Sequence, residues 1–452
     1  MTGPQADGYG RGAAILSVGI GVTGLITYAY FSLASHTLSE SDYGGITLLW
    51  SAVFITVSVL YRPVEQLLSR TIADRAAHGY KGRDHLRVAG IIQLTLGAAF
   101  AVAALLLRGP IEDGLFGGSQ TLYWVLIVTV LAYAVSYFAR GCLAGSRRFG
   151  LYGGLVLMEA SSRVLFALAV AVGIASGQSV VALGMVAAPI VSLAVVPFAL
   201  GRVAPAARTA EVEATARAGD ETFMGEPAGE PEFTLSHGTG FAVAVLLIML
   251  AEQTFLNAGP LLVKATEGDD GAALAGFTFN VLLIARAPLQ LFQAVQTSIL
   301  PHLTRLGVRG ETDPFRRTVN VTLIAIAGFA AAVALVMLAA GPAVMDLVFG
   351  GDFEYDRFGL VLISLGMGLY LSAATLNQAL LARGQAGQAC AAWLAAAGGF
   401  VVFLIVPEFD DRVLQVEVGY VAAALVLCGL LYALYRRDAS DGPADTKLGT
   451  HP

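Results

Sequence analysis

Twelve apolar stretches, each of 18 residues or more, leave this chain very few ways to fold: 13–35, 44–61, 88–107, 121–139, 151–175, 179–200, 238–263, 272–300, 318–340, 358–381, 386–406 and 416–435. At 1.5 Å per residue, each can cross a hydrocarbon core about 30 Å thick. Inside such a core every backbone N–H and C=O must be satisfied within the segment itself, which points to helices. Only 13% of the 452 residues are charged, against about 25% in a soluble domain. The sequence therefore reads as an all-α polytopic membrane protein with twelve transmembrane helices. The first stretch is long and lacks a small-residue cleavage site, so it reads as an uncleaved helix and not as a signal peptide.

The basic residues orient the chain. With the N-terminus inside, the inner segments hold 21 of the 27 Lys and Arg. The outer segments hold Arg108, Lys264, Arg357 and Arg412, while Arg163 and Arg286 fall within helices. This asymmetry places both termini in the cytoplasm, and a missed helix would scramble it. The high Arg-to-Lys ratio, with abundant Ala and Gly, suggests a bacterial cell membrane. The net charge of −6 resides partly in short acidic outer loops, so it implies no nucleic-acid partner. Cys142, Cys390 and Cys428 fit no metal or disulfide spacing, and the sequence calls for no metal or cofactor. A Gly-rich phosphate loop ending in Gly-Lys-Ser/Thr is missing, which excludes an ATPase of that type.

Residues 201–237 break the pattern, being rich in Ala, Glu, Gly and Pro. They read as a flexible cytoplasmic linker between an N-terminal lobe, 1–200, and a C-terminal lobe, 238–435, followed by a tail, 436–452. An internal repeat fits two six-helix lobes around a central cavity. "YRPVEQLL" beginning at Tyr61 resembles "ARAPLQLF" at 285–292, each with Arg and Pro ahead of a polar residue and an apolar pair. "CLAGSRRFG" after helix 4 and "LLARGQAGQ" after helix 10 give a weaker echo.

At "TLSESDYGGITLL", 37–49, the chain resembles polysaccharide flippases of the multidrug/oligosaccharidyl-lipid/polysaccharide exporter superfamily, and "RGCLAGSRRFGLYG", 140–153, and "QALLARGQAGQA", 378–389, resemble the same family's inner loops. The resemblance implies two lobes that open alternately inward and outward. It implies as cargo a polyprenyl-pyrophosphate-linked oligosaccharide, with a polysaccharide polymerase or glycosyltransferases as partners. The chain has fewer helices than lipid II flippases of the superfamily usually carry, which favours a cargo other than peptidoglycan precursor.

Polar residues within the membrane supply the candidate cavity contacts, because charges there are costly and need a partner or a purpose. Glu159 and Arg163 lie four apart on helix 5, spaced for an ion pair along one face or for a hydrated wall. Arg286 lies deep in helix 8 just before Pro288, with Glu252 on helix 7 as its nearest carboxylate candidate. An arginine there suits a pyrophosphate, since its planar fork donates two parallel hydrogen bonds. Gln253 and Asn257 on helix 7, and Gln290 and Gln293 on helix 8, would line a path for sugars or bond neighbouring helices. Arg62, next to Pro63, would sit at the inner rim, with Leu67, Leu68, Ile72, Arg70, Arg75 and Lys81 beyond it near anionic headgroups.

Two other classes remain open on sequence. A secondary drug or small-molecule exporter, of the same superfamily or of major-facilitator type, shares the helix layout. Helix 1 has no carboxylate, and "ADRAAHGYKGR", 73–83, is a loose likeness to the major-facilitator loop. A membrane glycosyltransferase using polyprenyl-phosphate sugars would need carboxylates such as Glu40 and Asp42, and an outer domain the loops are too short to form.

Overall fold

The computed structural model describes residues 4–78, 84–197, 239–268, 271–284, 312–350, 354–406 and 409–440. All regular structure among them is helical: α1 Pro4–Thr37, α2 Glu40–Leu60, α3 Arg62–His78, α4 Asp84–Leu106, α5 Gln120–Gly145, α6 Phe149–Ala171, α7 Gln178–Ser192, α8 Thr239–Glu267, α9 Gly271–Ile284, α10 Thr312–Phe349, α11 Arg357–Ala382, α12 Ala386–Ile405 and α13 Arg412–Ser440. Among the described residues nine helical spans are long and apolar enough to cross a membrane, α2 and α3 counting as one, Glu40–Ala76. The described residues of each of the twelve apolar stretches include a helix, with 198–200 and 285–300 lying outside them. The protein is an all-α, multi-pass membrane protein.

The Arg-Pro at the end of α2 does not stop the helix. Tyr61 donates its N–H to Val57 O at 2.9 Å, and Glu65 donates to Tyr61 O at 3.0 Å. Pro63 has no N–H to give Val59, so the ladder is notched there and resumes one turn on. One face of the continuation is buried in protein, Arg75 with it, while Arg70 is exposed and Lys81 lies outside the described residues. Leu68 and Ile72 pack with Val64, Ala89 and Cys142. The backbone of α5 can approach because Gly141 and Gly145 present no side chain to Leu68 and Ile72.

Helix ends also differ from the apolar limits. α5 runs on past Ala139 through Arg140 to Gly145, and α10 spans 38 residues. Capping fixes several starts: Ser39 accepts from Asp42 N, Ser119 from Leu122 N, and Asp356 from Gly359 N.

Packing gathers the described residues into two units, one from Met1–Leu283 with Ala343–Glu354, the other from Ile284–Pro342 with Tyr355–Pro452. In the first, α1 lies along α6, α6 along α7, α3 along α5 and α8 along α2. α9 joins this unit through a close backbone crossing. Gly44 of α2 lies directly against the Ala272 carbonyl, and Gly276 faces Gly44 in turn. The Tyr43 hydroxyl donates to Asn280 Oδ1 and the Tyr28 hydroxyl to Leu283 O beside it. In the second unit α11 and α13 form the main helix pair, with α12 against α13.

Candidate functional site

The first unit encloses a run of charged and aromatic side chains contributed by α2, α3, α5, α6 and α8. At its centre is Glu159 of α6, 2% exposed. Its carboxylate accepts from the Ser136 hydroxyl and forms an ion pair with Arg140, both on α5. Arg140 is 12% exposed, with its guanidinium 4.5 Å from the centre of the Tyr137 ring. Glu159 thus bonds across to α5 and not along its own helix to Arg163. A single turn of helix would have brought Arg163 within reach, but Arg140 approaches from a facing helix.

Arg163, 4% exposed, turns instead to aromatic groups. Its Nη1 donates to the Tyr133 hydroxyl at 3.3 Å, and its guanidinium lies 4.8 Å from the Trp50 ring centre and 5.7 Å from that of Phe54. Trp50 and Phe54 stack at 4.1 Å, and Phe31 meets Trp50 edge-on at 4.8 Å. Nε of Arg163 is buried without a hydrogen-bond partner, as is Nε of Arg140. A guanidinium so placed is held by ring faces, which attract cations through their quadrupole, and it keeps an N–H for a further acceptor.

Toward the α3 end the run continues with Glu65. Its Oε1 accepts from the Tyr152 hydroxyl at 2.8 Å, and it feels the charges of Arg140 and Arg62. Arg62 in turn is acted on most strongly, among neighbouring charges, by Glu252 of α8. The charges therefore alternate from Glu159 through Arg140, Glu65 and Arg62 to Glu252. Apart from Arg163, each of these charges is acted on by an opposite one, the condition under which charges are tolerated away from water. Replacing Tyr152 by Phe removes one hydrogen bond to a carboxylate. Tyr152→Phe should lower the unfolding free energy of the purified protein by about 1.5 kcal/mol, read as a small fall in melting temperature. An unchanged melting temperature would show that Glu65 does not depend on this bond.

Of the expected cavity residues, Arg62, Glu159, Arg163 and Glu252 come together in this run. Gln253 and Asn257 are buried on α8, where Asn257 Nδ2 donates to Gln253 Oε1 at 3.1 Å. Arg286, Gln290 and Gln293 lie outside the described residues, and with them the pairing expected between Arg286 and Glu252. The sequence reading missed Glu65, Arg140, Tyr152, Tyr133, Trp50 and Phe54. Arg140 was counted as an inner-loop cation, yet Tyr133, Tyr137 and Arg140 are spaced to share one helix face.

No protein-family model matches the chain. It is 26% identical over 428 residues to uncharacterized proteins of Mycobacterium bovis and Mycobacterium tuberculosis, covering 91% of this chain and 88% of each relative. Among solved structures it resembles a multidrug resistance MATE family transporter of the MOP superfamily in its inward-facing conformation, with TM-score 0.63, 14% identity, and coverage of 94% of this chain and 98% of that one. A eukaryotic MATE transporter gives TM-score 0.62 at 14% identity, over 95% of this chain and 96% of that one. A Vibrio cholerae MATE transporter in the bent form gives 0.54 at 13% identity, over 95% and 98%. The expected all-α, two-lobe fold is therefore shared with these solved structures over nearly their whole length.

Proposed function

We propose that this chain is a secondary exporter of small amphipathic organic molecules, working by alternating access in a bacterial cell membrane. The observation that carries the reading is Arg163, buried over Trp50 and Phe54 inside a unit with the transporter fold. Ionisable groups within membrane helices are expensive and mark substrate or ion pathways. The flat faces of Trp50, Phe54 and Tyr133 suit the apolar part of an amphipath, and the guanidinium suits its polar part. Arg140, Glu65, Arg62 and Glu252 extend the polar stripe along the helices, where exchange of ion-pair partners would accompany a change of access. The solved transporters that share the fold are named for multidrug resistance or as MATE transporters, which supports a small-molecule cargo.

The lipid-linked glycan is the second reading, favoured by one feature. Among the described residues no carboxylate contacts Arg163, and its open N–H would suit a phosphate oxygen. Against it, the Tyr43-Gly44 motif that carried the flippase resemblance has a packing role in this fold. Tyr43 bonds Asn280, and Gly44 makes room for Ala272.

Proteoliposomes holding the full chain separate the two. Under an imposed ion gradient, ethidium should be moved, and Arg163→Lys, which keeps the charge but loses the planar face, should slow it about tenfold. Movement of a fluorescent polyprenyl-pyrophosphate sugar, with ethidium left untouched, would overturn the first reading in favour of the second. Transport of neither by folded protein would overturn both.

A further inference from the structure

The second unit contains a buried carboxylate that the charged run does not involve. Glu417, on the second turn of α13, is 5% exposed. Its carboxyl fills the space that a side chain at Gly359 in α11 would take. A Cβ at Gly359 would fall 2.0 Å from Oε2 and 2.2 Å from Oε1. The seat exists because residue 359 has no side chain.

What surrounds this carboxyl is negative or neutral. From the start of α11 comes Asp356, whose Oδ2 accepts from Gly359 N at 3.0 Å, the residue that Glu417 covers. From the start of α13 comes Asp411, whose Oδ1 accepts from Val413 N at 2.9 Å and Leu414 N at 3.1 Å. These two are the charges that act on Glu417. α12 carries no Asp, Glu, Lys, Arg or His. The nearest cations in sequence are Arg412, which donates to Gln415 at 2.8 Å, and Arg357, which is exposed; neither is among the charges that act on Glu417. Asp352 and Glu408 lie outside the described residues. Among the described residues Glu417 receives no hydrogen bond. Both aspartates are engaged as helix caps beside the seat.

A carboxylate so nearly buried, with neither donor nor counter-charge among the described residues, calls for a cation. The described residues include no group of three His, Cys, Asp or Glu able to hold a metal ion. The three carboxylates are thus close enough to feel one another but do not converge as a metal shell. We propose that Glu417, seated over Gly359 and flanked by Asp356 and Asp411, is a proton-binding site of the second unit. One proton adds to one carboxylate oxygen and leaves by the same route, with no other bond made or broken. The site is separate from the charged run of the first unit, and proton binding there can be read without any cargo.

Dicyclohexylcarbodiimide, which reacts with protonated carboxyls in apolar surroundings, is the probe. The purified full chain should be modified at Glu417, read by peptide mass. Labelling should fall about tenfold per pH unit once the proton is lost, and Glu417→Gln should abolish it. Gly359→Ala pushes the carboxyl off its seat and should cut labelling even though Glu417 is still present. If that variant does not fold, the pH series on the native chain and Glu417→Gln decide alone. A folded native chain unlabelled at Glu417 at any pH would overturn the proposal. Protection by sodium at constant pH would overturn it in favour of a sodium site. Labelling of a folded Gly359→Ala variant equal to the native chain's would overturn the assigned seat.

Discussion

Glu159→Ala should destabilise the protein by about 3–5 kcal/mol, because it leaves Arg140 buried without its carboxylate. Glu159 is the more deeply buried partner, at 2%, and Arg140 is 12% exposed, so little solvent screens the loss. The Ser136 hydroxyl loses its acceptor at the same stroke. Arg140→Ala should cost a similar amount by stranding Glu159. The double variant should recover more than half of the loss, since neither charge then stays behind. Arg163→Ala is the informative contrast. It leaves no stranded carboxylate and forfeits ring contacts and one bond to Tyr133, a loss of about 1–2 kcal/mol. Melting temperatures of the four purified variants test this. Additive losses from Glu159→Ala and Arg140→Ala would show that the pair is not an energetic unit.

Gly44→Ala should be nearly as damaging, about 3 kcal/mol or more, although it adds a single methyl group. That methyl would lie 1.8 Å from the Ala272 carbonyl oxygen and 2.4 Å from its carbon. Both atoms are backbone, so α2 and α9 have to separate. Separation would also pull Tyr43 from Asn280 and expose their polar atoms. The neighbouring glycine offers a sharp control. A methyl at Gly45 would meet Gln178 Nε2 at 2.3 Å, the end of a flexible side chain that donates a 2.7 Å bond to Asp42 O. Gly45→Ala should therefore cost about 1 kcal/mol, the worth of one hydrogen bond. Equal falls in melting temperature for the two variants would refute a rigid backbone crossing at Gly44.

The helices were legible in the sequence to the extent that solvent dictates them. Apolar runs the width of a bilayer have one way to satisfy their backbones, and the described residues of each of the twelve include a helix. Their ends were less legible, because an apolar count stops at a charge whether or not the helix does. α5 passes through Arg140 since Glu159 on another helix neutralises it. α3 continues past Arg62-Pro63 since proline removes one ladder bond and permits the next turn.

The candidate site was legible as a set of costly residues and illegible as a set of pairs. Glu159, Arg163, Arg62 and Glu252 stand out in any apolar helix, so cost alone singles them out. Spacing along one helix suggested that Glu159 and Arg163 pair, yet spacing is blind to what a neighbouring helix presents. Glu417 was passed over in the sequence because it lies near the start of an apolar stretch, where a carboxylate is ordinarily solvated. Its burial depends on Gly359, 58 positions earlier in the chain. The sequence by itself determined that the chain is helical, spans a membrane and carries charges that need partners, because those follow from the transfer of each segment out of water. Only the tertiary structure decided which partner each charge takes, because that depends on helix faces brought together across long stretches of chain by glycine-sized gaps at Gly44, Gly141, Gly145 and Gly359.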